Sequence, residues 1–455
     1  MDYGGYIESK SSVARFGGLV PTDVAPHLYD FQQAIVAWAL RSGRAANFAD
    51  TGLGKTRMQV EWARQVSSEG RVLILAPLAV ANQTSDEAAG VGVDIPYVRE
   101  DTGARICVTN YEMADHFDPS RFVGVVLDES SILKNFTGST RTALIEAFAD
   151  TPYRLACTAT PAPNDFTELG NHAEFLGALS RAEMLAEFFV HDGGSTQDWR
   201  LKGHAVDAFW RWVCTWGMVV RNPEDVGFDG SRFVLPPLRM HEERIEINQE
   251  DAFAAGMLFA ADARTLNEQR AVRRSTLDAR VDRIARIASD RLDEPLIVWC
   301  EYNSEADAIT SAIPGAVQIA GSDSADAKRD RLVGFSRGDY RVLVTKPSIA
   351  GFGLNWQHCA RMAFAGPSHS YEQTYQAIRR CWRFGQNRPV DVFICAASTE
   401  SAVVQNYRRK EADAARLGAE VVDRTSDFAR ANLGATERRW NPYQPTTRMR
   451  IPPWM

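Results

Sequence analysis

Two series of short apolar runs, each alternating with helical stretches, set the strongest constraint on the fold of this 455-residue chain. The first series consists of Ala45–Asp50, Val72–Ala76, Ile106–Thr109, Val123–Asp128 and Tyr153–Thr158. The second consists of Leu296–Cys300, Val317–Ala320, Val342–Thr345, Arg361–Ala365 and Val390–Ile394. Apolar runs of this length separated by helices are typical of parallel sheets covered on both faces. The sequence therefore predicts an α/β protein with two parallel-sheet lobes.

A helical, aromatic stretch separates the two series and predicts a helical insertion after the first lobe. Its aromatic residues are Phe166, Phe175, Phe188, Phe189, Trp199, Phe209, Trp210, Trp212 and Trp216. Their helical spacing favours a packed helical core over a surface that stacks bases. We accordingly divide the chain into a first lobe (1–164), the helical insertion and hinge (165–240), a second lobe (241–400), and a C-terminal helix with a partly ordered tail (401–455).

Composition excludes several classes of protein. No apolar run approaches the roughly 20 residues that a membrane span needs, and the N-terminus has no signal-peptide pattern. The seven cysteines include no C-x-x-C pair, which argues against a zinc ribbon or a disulfide framework. We expect them to be small apolar core residues in a reducing compartment.

The net charge of −7 makes the position of cationic residues important for any interaction with nucleic acid. Seven arginines cluster within 264–286: Arg264, Arg270, Arg273, Arg274, Arg280, Arg283 and Arg286. A second basic group comprises Arg408, Arg409, Lys410, Arg438, Arg439, Arg448 and Arg450. Each group is interpreted either as a set of phosphate contacts or as a solvated helix face.

The segment Ala49–Thr56, with the sequence ADTGLGKT, lies between an apolar strand and a helix. Gly52 and Gly54 allow the backbone to curl so that its N–H groups face phosphate oxygens at the positive end of the helix. In such a loop the lysine, here Lys55, reaches the β- and γ-phosphates, and the hydroxyl of Thr56 binds Mg²⁺. The segment predicts a nucleotide-binding loop.

Val123–Ser131 ends a buried strand with two carboxylates, Asp128 and Glu129. Ligands bind at the carboxyl edge of parallel sheets. We expect Asp128 to hold Mg²⁺ and Glu129 to polarise the attacking water. An acidic pair alone is weak evidence, and the loop at Ala49–Thr56 makes the interpretation strong.

In the second lobe, Gln376–Gln386 carries Arg380 and Arg383. Three residues apart on a predicted helix, they would point the same way. An arginine aimed at a γ-phosphate neutralises charge in the transition state. The alternative is a basic surface helix.

Together these residues resemble the Swi/Snf-like branch of superfamily 2 helicases, in its short phage and bacterial form, over about residues 27–400. The matching segments are Leu28–Gln32, Leu73–Leu78, Val108–Glu112, Asp128–Asn135, Cys157–Asn164, Glu168–Leu176, Gly321–Ser324, Gly351–Asn355 and Arg383–Gln386. One departure is Ser131, which replaces the histidine that often ends the acidic motif in this branch.

The resemblance implies two RecA-like lobes that bind ATP and Mg²⁺ and move along DNA, in the cytoplasm of a bacterium or a phage-infected cell. It assigns catalysis to Lys55, Glu129, Arg380 and Arg383, and metal binding to Thr56 and Asp128. The residues that it assigns to nucleotide binding are Gln32, Thr51, Gly52, Leu53, Gly54, Lys55, Thr56, Arg57 and Gly353.

Two alternatives to a motor on duplex or branched DNA remain at this point. One is a helicase that separates DNA or RNA strands. The other is a clamp that binds nucleic acid without hydrolysing ATP. The intact lysine, acidic pair and arginines argue against the clamp, because a binding module needs none of them.

Overall fold

A computed structural model describes residues 17–134, 138–162, 165–191, 199–246, 266–350, 355–368 and 370–434. The chain forms two compact units. The first contains residues 1–76, 84–230 and 419–455, and the second contains residues 77–83 and 231–418. Among the residues singled out by sequence, Asn135, Asn164, Arg264, Gly353 and the four arginines beyond 434 lie outside the described residues.

The first unit is built on a six-stranded, wholly parallel sheet in the order β3-β2-β4-β5-β1-β8. Its strands, with the separate antiparallel pair β6 and β7, are β1 (Arg44–Ala49), β2 (Val72–Ala76), β3 (Ile106–Asn110), β4 (Gly124–Asp128), β5 (Tyr153–Cys157), β6 (Phe189–His191), β7 (Trp199–Leu201) and β8 (Gly217–Val220). Every residue of β2, β3 and β4 is buried. Strands covered on both faces have continuous apolar sequences. For this reason, the predicted bounds of these strands lie close to the observed ones.

The helices that accompany this sheet in the chain are α1 (Asp30–Ser42), α2 (Lys55–Val66), α3 (Leu78–Gly90), α4 (Ser139–Ala147), α5 (Leu169–Leu176), α6 (Arg181–Phe188) and α7 (Val206–Trp216). Helices α5 to α7 form the expected helical insertion. Ser180 begins α6 with a capping box in which its side chain and that of Glu183 bond each other's backbone N–H groups.

The aromatic residues of the insertion pack into the core of the first unit. Phe209 and Trp210 are 0% and 1% exposed, and Phe209 meets Phe188 and Phe189 edge-on at 5.5 and 5.4 Å between ring centroids. Such edge contacts add to the energy of burying the rings. The interpretation of these residues as packed core is confirmed.

The second unit repeats the architecture with a six-stranded parallel sheet in the order β11-β12-β10-β13-β14-β9. Its strands are β9 (Leu238–Ile245), β10 (Leu296–Trp299), β11 (Ala316–Gln318), β12 (Val342–Thr345), β13 (Arg361–Phe364) and β14 (Val390–Ala397). Its helices are α8 (Leu266–Ser275), α9 (Leu277–Ser289), α10 (Asn303–Ala312), α11 (Ala325–Arg337), α12 (Pro347–Ala350) and α13 (Tyr371–Ile378). The predicted fold class, two parallel-sheet α/β lobes with a helical insertion after the first, is confirmed.

Two strands of the parallel sheets escaped sequence analysis, as did the antiparallel pair β6 and β7. β8 lies within the segment assigned to the insertion and hinge, yet it pairs with β1 in the first sheet. β9, whose sequence is LRMHEERI, pairs with β14 at the edge of the second sheet. β9 carries mostly charged side chains that are exposed or half-buried, so it lacks the apolar run that marks a buried strand.

A single helix, α14 (Ser401–Gly434), ends the described chain. The helix includes the beginning of the expected tail. Its residues from 419 onward belong to the first unit. Arg424 lies 3.2 Å from Asp207, and the side-chain amide of Asn432 donates to the carbonyl of Cys214. These contacts attach the end of α14 to α7.

The arginine cluster on α8 and α9 is only partly available to a ligand. Arg273 is bonded to Glu305, Glu301 and the carbonyl of Pro367. Arg280 is 0% exposed, pairs with Glu400 at 2.6 Å and donates to two backbone carbonyls. The interpretation of these two arginines as phosphate contacts is wrong, because both are buried and carboxylates and backbone carbonyls already accept from them. Arg274 and Arg286 are exposed.

All seven cysteines are buried free thiols, as predicted for core residues. No helix in the described ranges is long and apolar enough to cross a membrane.

Candidate nucleotide site

The loop between β1 and α2 has the backbone shape that its glycines predict. Gly52 and Gly54 adopt φ values of 93° and 79°, in the left-handed region that favours glycine. The Lys55 ammonium donates to the carbonyl of Ala49 at 2.9 Å. Burial lowers the pKa of Lys55, while the carboxylates of Glu129, Asp50 and Asp128 act in the opposite direction. The lysine is therefore held among carboxylates at the mouth of the loop.

Other residues predicted for the loop differ in exposure. Leu53 is buried, Thr51 and Thr56 are half-buried, and Arg57 is exposed at the start of α2. The backbone N–H of Thr51 donates to the Asp50 carboxylate at 2.6 Å. The half-buried Thr56 lies one residue after Lys55, so it is on the first turn of α2.

Gln32 contacts the loop directly. Its side-chain N–H group donates to the carbonyl of Leu53 at 2.8 Å, and its carbonyl accepts from the backbone of Tyr29 at 3.0 Å. A Cβ atom added to Gly54 would lie 2.3 Å from the Gln32 nitrogen. Gln32 therefore supports the loop from α1, and a side chain at Gly54 would strain the backbone and displace the Gln32 amide.

Strand register brings the acidic pair to the same edge of the sheet. In β5, Cys157 is level with Asn47 of β1 on one side and with Asp128 of β4 on the other. The loop after β1 and the turn after β4 are therefore separated by one strand. Parallel strands place their carboxyl ends at the same edge of a sheet. This register therefore places Lys55, which follows β1, and Asp128, which ends β4, at the same edge.

Asp128 is 4% exposed and held by two donors on its Oδ1 atom. The Gln59 side-chain amide donates to it at 2.7 Å and the Glu129 backbone at 3.0 Å. Burial raises the pKa of Asp128, and the charge of Glu129 raises it further, while Gln59 and Lys55 lower it. A cation beside this carboxylate would relieve the cost of holding its charge out of water.

Glu129 has an unusual backbone. Its φ of 50° is positive, a conformation that among the described non-glycine residues it shares only with Asp23. Such geometry costs on the order of 1–3 kcal/mol and persists where surrounding contacts impose it. The Oε2 atom of Glu129 is buried and has no hydrogen-bond partner among the described residues. The Oε2 atom is therefore a buried acceptor to which no group of the described residues donates a hydrogen bond.

Two buried side chains hold the residues on either side of Glu129. They lie in the matching segments Val108–Glu112 and Glu168–Leu176, but sequence analysis gave neither an individual role at this turn. The Tyr111 hydroxyl donates to the carbonyl of Asp128 at 2.7 Å. The Nε2 atom of His172 lies 3.1 Å from the hydroxyl of Ser130. Burial lowers the pKa of His172 to about 4, so the ring is neutral near pH 7. A lone histidine inside the apolar helix α5 was the available sequence signal.

These residues fit a nucleoside triphosphate with Mg²⁺. The glycine loop and Lys55 offer donors to phosphate oxygens, and the Thr56 hydroxyl and Asp128 carboxylate are oxygen ligands of the kind that Mg²⁺ takes, alongside phosphate oxygens and water. The buried, unsatisfied Oε2 of Glu129 is an acceptor for a water molecule. All of these groups belong to the first unit.

The arginines of the second unit do not lie on a helix. α13 ends at Ile378, and the chain then turns so that the carbonyl of Arg380 accepts from the backbone of Trp356 at 2.9 Å. The prediction of two arginines on one helix face is wrong for this reason. Arg380 is 2% exposed and bonds Gln376 through its Nε and Nη2 atoms, whereas Arg383 is half-buried.

Gln386 explains the shape of this turn. Its side-chain N–H group donates to the carbonyls of Gln357 and Cys359 at 3.0 Å each, and to that of Cys381 at 3.3 Å. Its carbonyl accepts from the Arg388 backbone at 3.0 Å. One buried amide thus ties together the loop before β13 and the turn that carries Arg383.

Comparison with known proteins gives a family match in the second unit. Residues 279–385 match the family model of the helicase conserved C-terminal domain, which confirms the helicase resemblance of the second-lobe motifs within that range. No curated protein matches the chain. Among solved structures, the chain is similar to a Sulfolobus solfataricus SWI2/SNF2 ATPase core in complex with dsDNA, with 16% identity, coverage of 93% of this chain and 97% of that chain, and a TM-score of 0.40.

Proposed function

We propose that this chain is a superfamily 2 helicase of the Swi/Snf-like type and acts as a DNA-dependent ATPase that moves along duplex or branched DNA. The observation that carries the proposal is the grouping of Lys55, Asp128 and Glu129 at one sheet edge, with the Glu129 Oε2 atom buried and unsatisfied. A protein that only bound nucleic acid would have no use for a strained carboxylate beside a phosphate-binding loop.

The roles of the residues follow from their positions. Lys55 and the N–H groups of residues 52–56 bind the phosphates, and Thr56 and Asp128 hold Mg²⁺, which supplies positive charge to the phosphate oxygens. Glu129 orients the attacking water through its free acceptor. Arg383, and Arg380 with it, neutralises charge that develops on the γ-phosphate.

Arg383 is the better placed of the two arginines to meet a ligand, because it is half-buried whereas Arg380 is only 2% exposed. Hydrolysis that needs an arginine from the second unit depends on both units acting together. In the proposed motor, this dependence couples ATP hydrolysis to movement along DNA.

Translocation without strand separation is proposed because strand separation needs a wedge. Breaking base stacking costs about 1.4 kcal/mol per step on average, and a hairpin or added domain usually does this work. Between residues 296 and 399, the described chain consists of the strands and helices of the second sheet with short connections. Within the described ranges, the one antiparallel hairpin, β6–β7, belongs to the first unit.

The deciding experiment measures phosphate release from ATP by the full chain, alone and with duplex DNA, single-stranded DNA or RNA. We expect duplex DNA to stimulate turnover at least as much as single strands do. Turnover stimulated by RNA alone would favour an RNA helicase, and binding to DNA without any turnover would favour the clamp.

A second assay separates translocation from unwinding. The proposed motor displaces a triplex-forming third strand from a duplex and unwinds a forked or tailed duplex poorly. Efficient unwinding of a tailed duplex, with turnover stimulated only by single strands, would favour a strand-separating helicase instead.

A further inference from the structure

The turn that carries Glu129 is fixed at both ends by side chains that reach it from distant parts of the chain. Asp128, before Glu129, is held through its backbone carbonyl by the Tyr111 hydroxyl at 2.7 Å. Ser130, after Glu129, is held through its hydroxyl by His172 at 3.1 Å. Ser130 and His172 are each 0% exposed, and Tyr111 and Asp128 are 9% and 4% exposed, so both contacts lie between buried residues.

Neither contact is needed to build the sheet. β4 is already paired on both sides, with β2 and with β5. Tyr111 opens the 3₁₀ turn after β3, and His172 lies on α5, so the two residues approach from separate elements. The His172 ring also meets the Phe48 ring edge-on, with 5.2 Å between centroids. Phe48 and the apolar core around α5 therefore fix the direction of the imidazole.

The conformation of Glu129 calls for such restraint. With a φ of 50°, this residue is in a region that an L-residue leaves unless its neighbours are held. Relaxation to negative φ would rotate the peptide planes on either side, and it would move the carboxylate away from its present direction. Restraining the carbonyl before Glu129 and the side chain after it opposes that rotation.

We propose that Tyr111 and His172 are positioning residues that hold Glu129 in its left-handed conformation and so aim its carboxylate at the attacking water. The inference rests on the proposed ATPase function and names the residues that set up its water-orienting group. Ser131 stands where the related motif often carries a histidine. Here a histidine meets the neighbouring Ser130 from α5 instead.

Loss of a positioning residue lowers kcat, whereas loss of a residue that only packs lowers stability. A carboxylate displaced by about 1 Å can cost on the order of 100-fold in rate, while the phosphate-binding loop and Lys55 remain intact. We therefore expect His172→Leu and Tyr111→Phe to lower kcat by about 10- to 100-fold, with ATP affinity and KM within about twofold of wild type. Substitution of a residue that only packs would lower the melting temperature and leave kcat per folded molecule unchanged.

Three further variants sharpen the test. His172→Gln keeps an amide that can bond Ser130 and should recover part of the lost rate. Ser130→Ala removes the same hydrogen bond from its other end, so the double variant with His172→Leu should be no slower than the slower single variant. Tyr340→Phe is the matched control, since it removes a hydroxyl that donates to the carbonyl of Arg331 in the second unit. Its kcat should equal that of wild type.

The measurements are steady-state phosphate release with saturating duplex DNA, equilibrium binding of a fluorescent ATP analogue, and thermal unfolding of each full-length variant. Wild-type kcat in both His172→Leu and Tyr111→Phe would overturn the inference and leave the proposed function standing. Strictly additive losses for Ser130 and His172 would overturn it as well. Absence of turnover in the wild type would overturn the proposed function itself, and the inference with it.

Discussion

Gln32 and Leu53 are joined by a 2.8 Å hydrogen bond from the Gln32 side-chain amide to the Leu53 carbonyl. This contact links α1 to the turn that the phosphate-binding loop makes between Gly52 and Gly54. It also fills the space in which a side chain at Gly54 would have to lie. The loop therefore depends on a residue more than twenty positions earlier in the chain.

We expect Gly54→Ala to abolish detectable ATP binding. The new methyl group would meet the Gln32 nitrogen at 2.3 Å, and the φ of 79° would be strained. Gly92→Ala is the control, because Gly92 has a φ of 77° and open space around it. It imposes the same backbone strain, about 1 kcal/mol, without touching the loop. Equal ATP affinity in the two variants, measured by calorimetry, would show that the Gln32 contact is unimportant.

Lys55→Ala and Glu129→Gln should each lose ATP turnover, but for different reasons. Loss of the lysine removes the cation that binds the phosphates, so ATP binding and turnover are both lost. Glu129→Gln keeps the size of the side chain and should keep ATP binding, while kcat falls by about 100-fold or more. Binding of a fluorescent ATP analogue and phosphate release distinguish the two. Wild-type turnover by Glu129→Gln would remove this carboxylate from the mechanism.

Arg383→Ala should lower kcat far more than it weakens ATP affinity, by about 1,000-fold if the arginine neutralises transition-state charge as in known cases. Arg383→Lys should recover little, since an ammonium cannot reproduce the planar fork of a guanidinium. Arg329→Ala, at an exposed position on α11, is the control. An unchanged kcat with a raised KM would instead assign Arg383 to ground-state binding.

The exposed arginines of the 264–286 cluster can be tested separately from the buried ones. Changing Arg274 and Arg286 to Glu should weaken DNA binding, with a loss of about 1 in the slope of log affinity against log salt for each phosphate contact removed. Titration of labelled duplex DNA at several salt concentrations measures this slope. If affinity and slope stay at their wild-type values, these residues form a solvated helix face.

The buried pair of Arg280 and Glu400 should contribute to stability and not to DNA binding. Glu400→Ala leaves a buried guanidinium without its 2.6 Å partner, and it also removes an acceptor from the Ala397 backbone. We expect a loss of about 3–5 kcal/mol in the free energy of unfolding. Glu242→Ala, which removes the partner of the exposed Arg408, should cost about 1 kcal/mol or less. Urea unfolding of the full chain compares them.

Sequence analysis succeeded where a pattern is local. The strands Val72–Ala76 and Val342–Thr345 were predicted at their observed bounds, because a strand buried on both faces must be apolar along its whole length. The edge strand β9 was missed, since the pairing that makes it a strand comes from β14 and leaves no apolar run in its own sequence. The helix carrying Arg380 was extended too far because contacts of Gln386 with remote carbonyls turn the chain there.

The sequence by itself determined the α/β class and the positions of the glycine loop and the acidic pair, because glycine spacing and strand ends are properties of neighbouring residues. Only the tertiary structure decided the environment of those groups. The left-handed backbone of Glu129, the contact of Ser130 with His172 and the pairing of Arg280 with Glu400 join residues up to 120 positions apart. Such contacts depend on how strands and helices pack. The residues next to a side chain in the sequence do not indicate which distant residue it will contact.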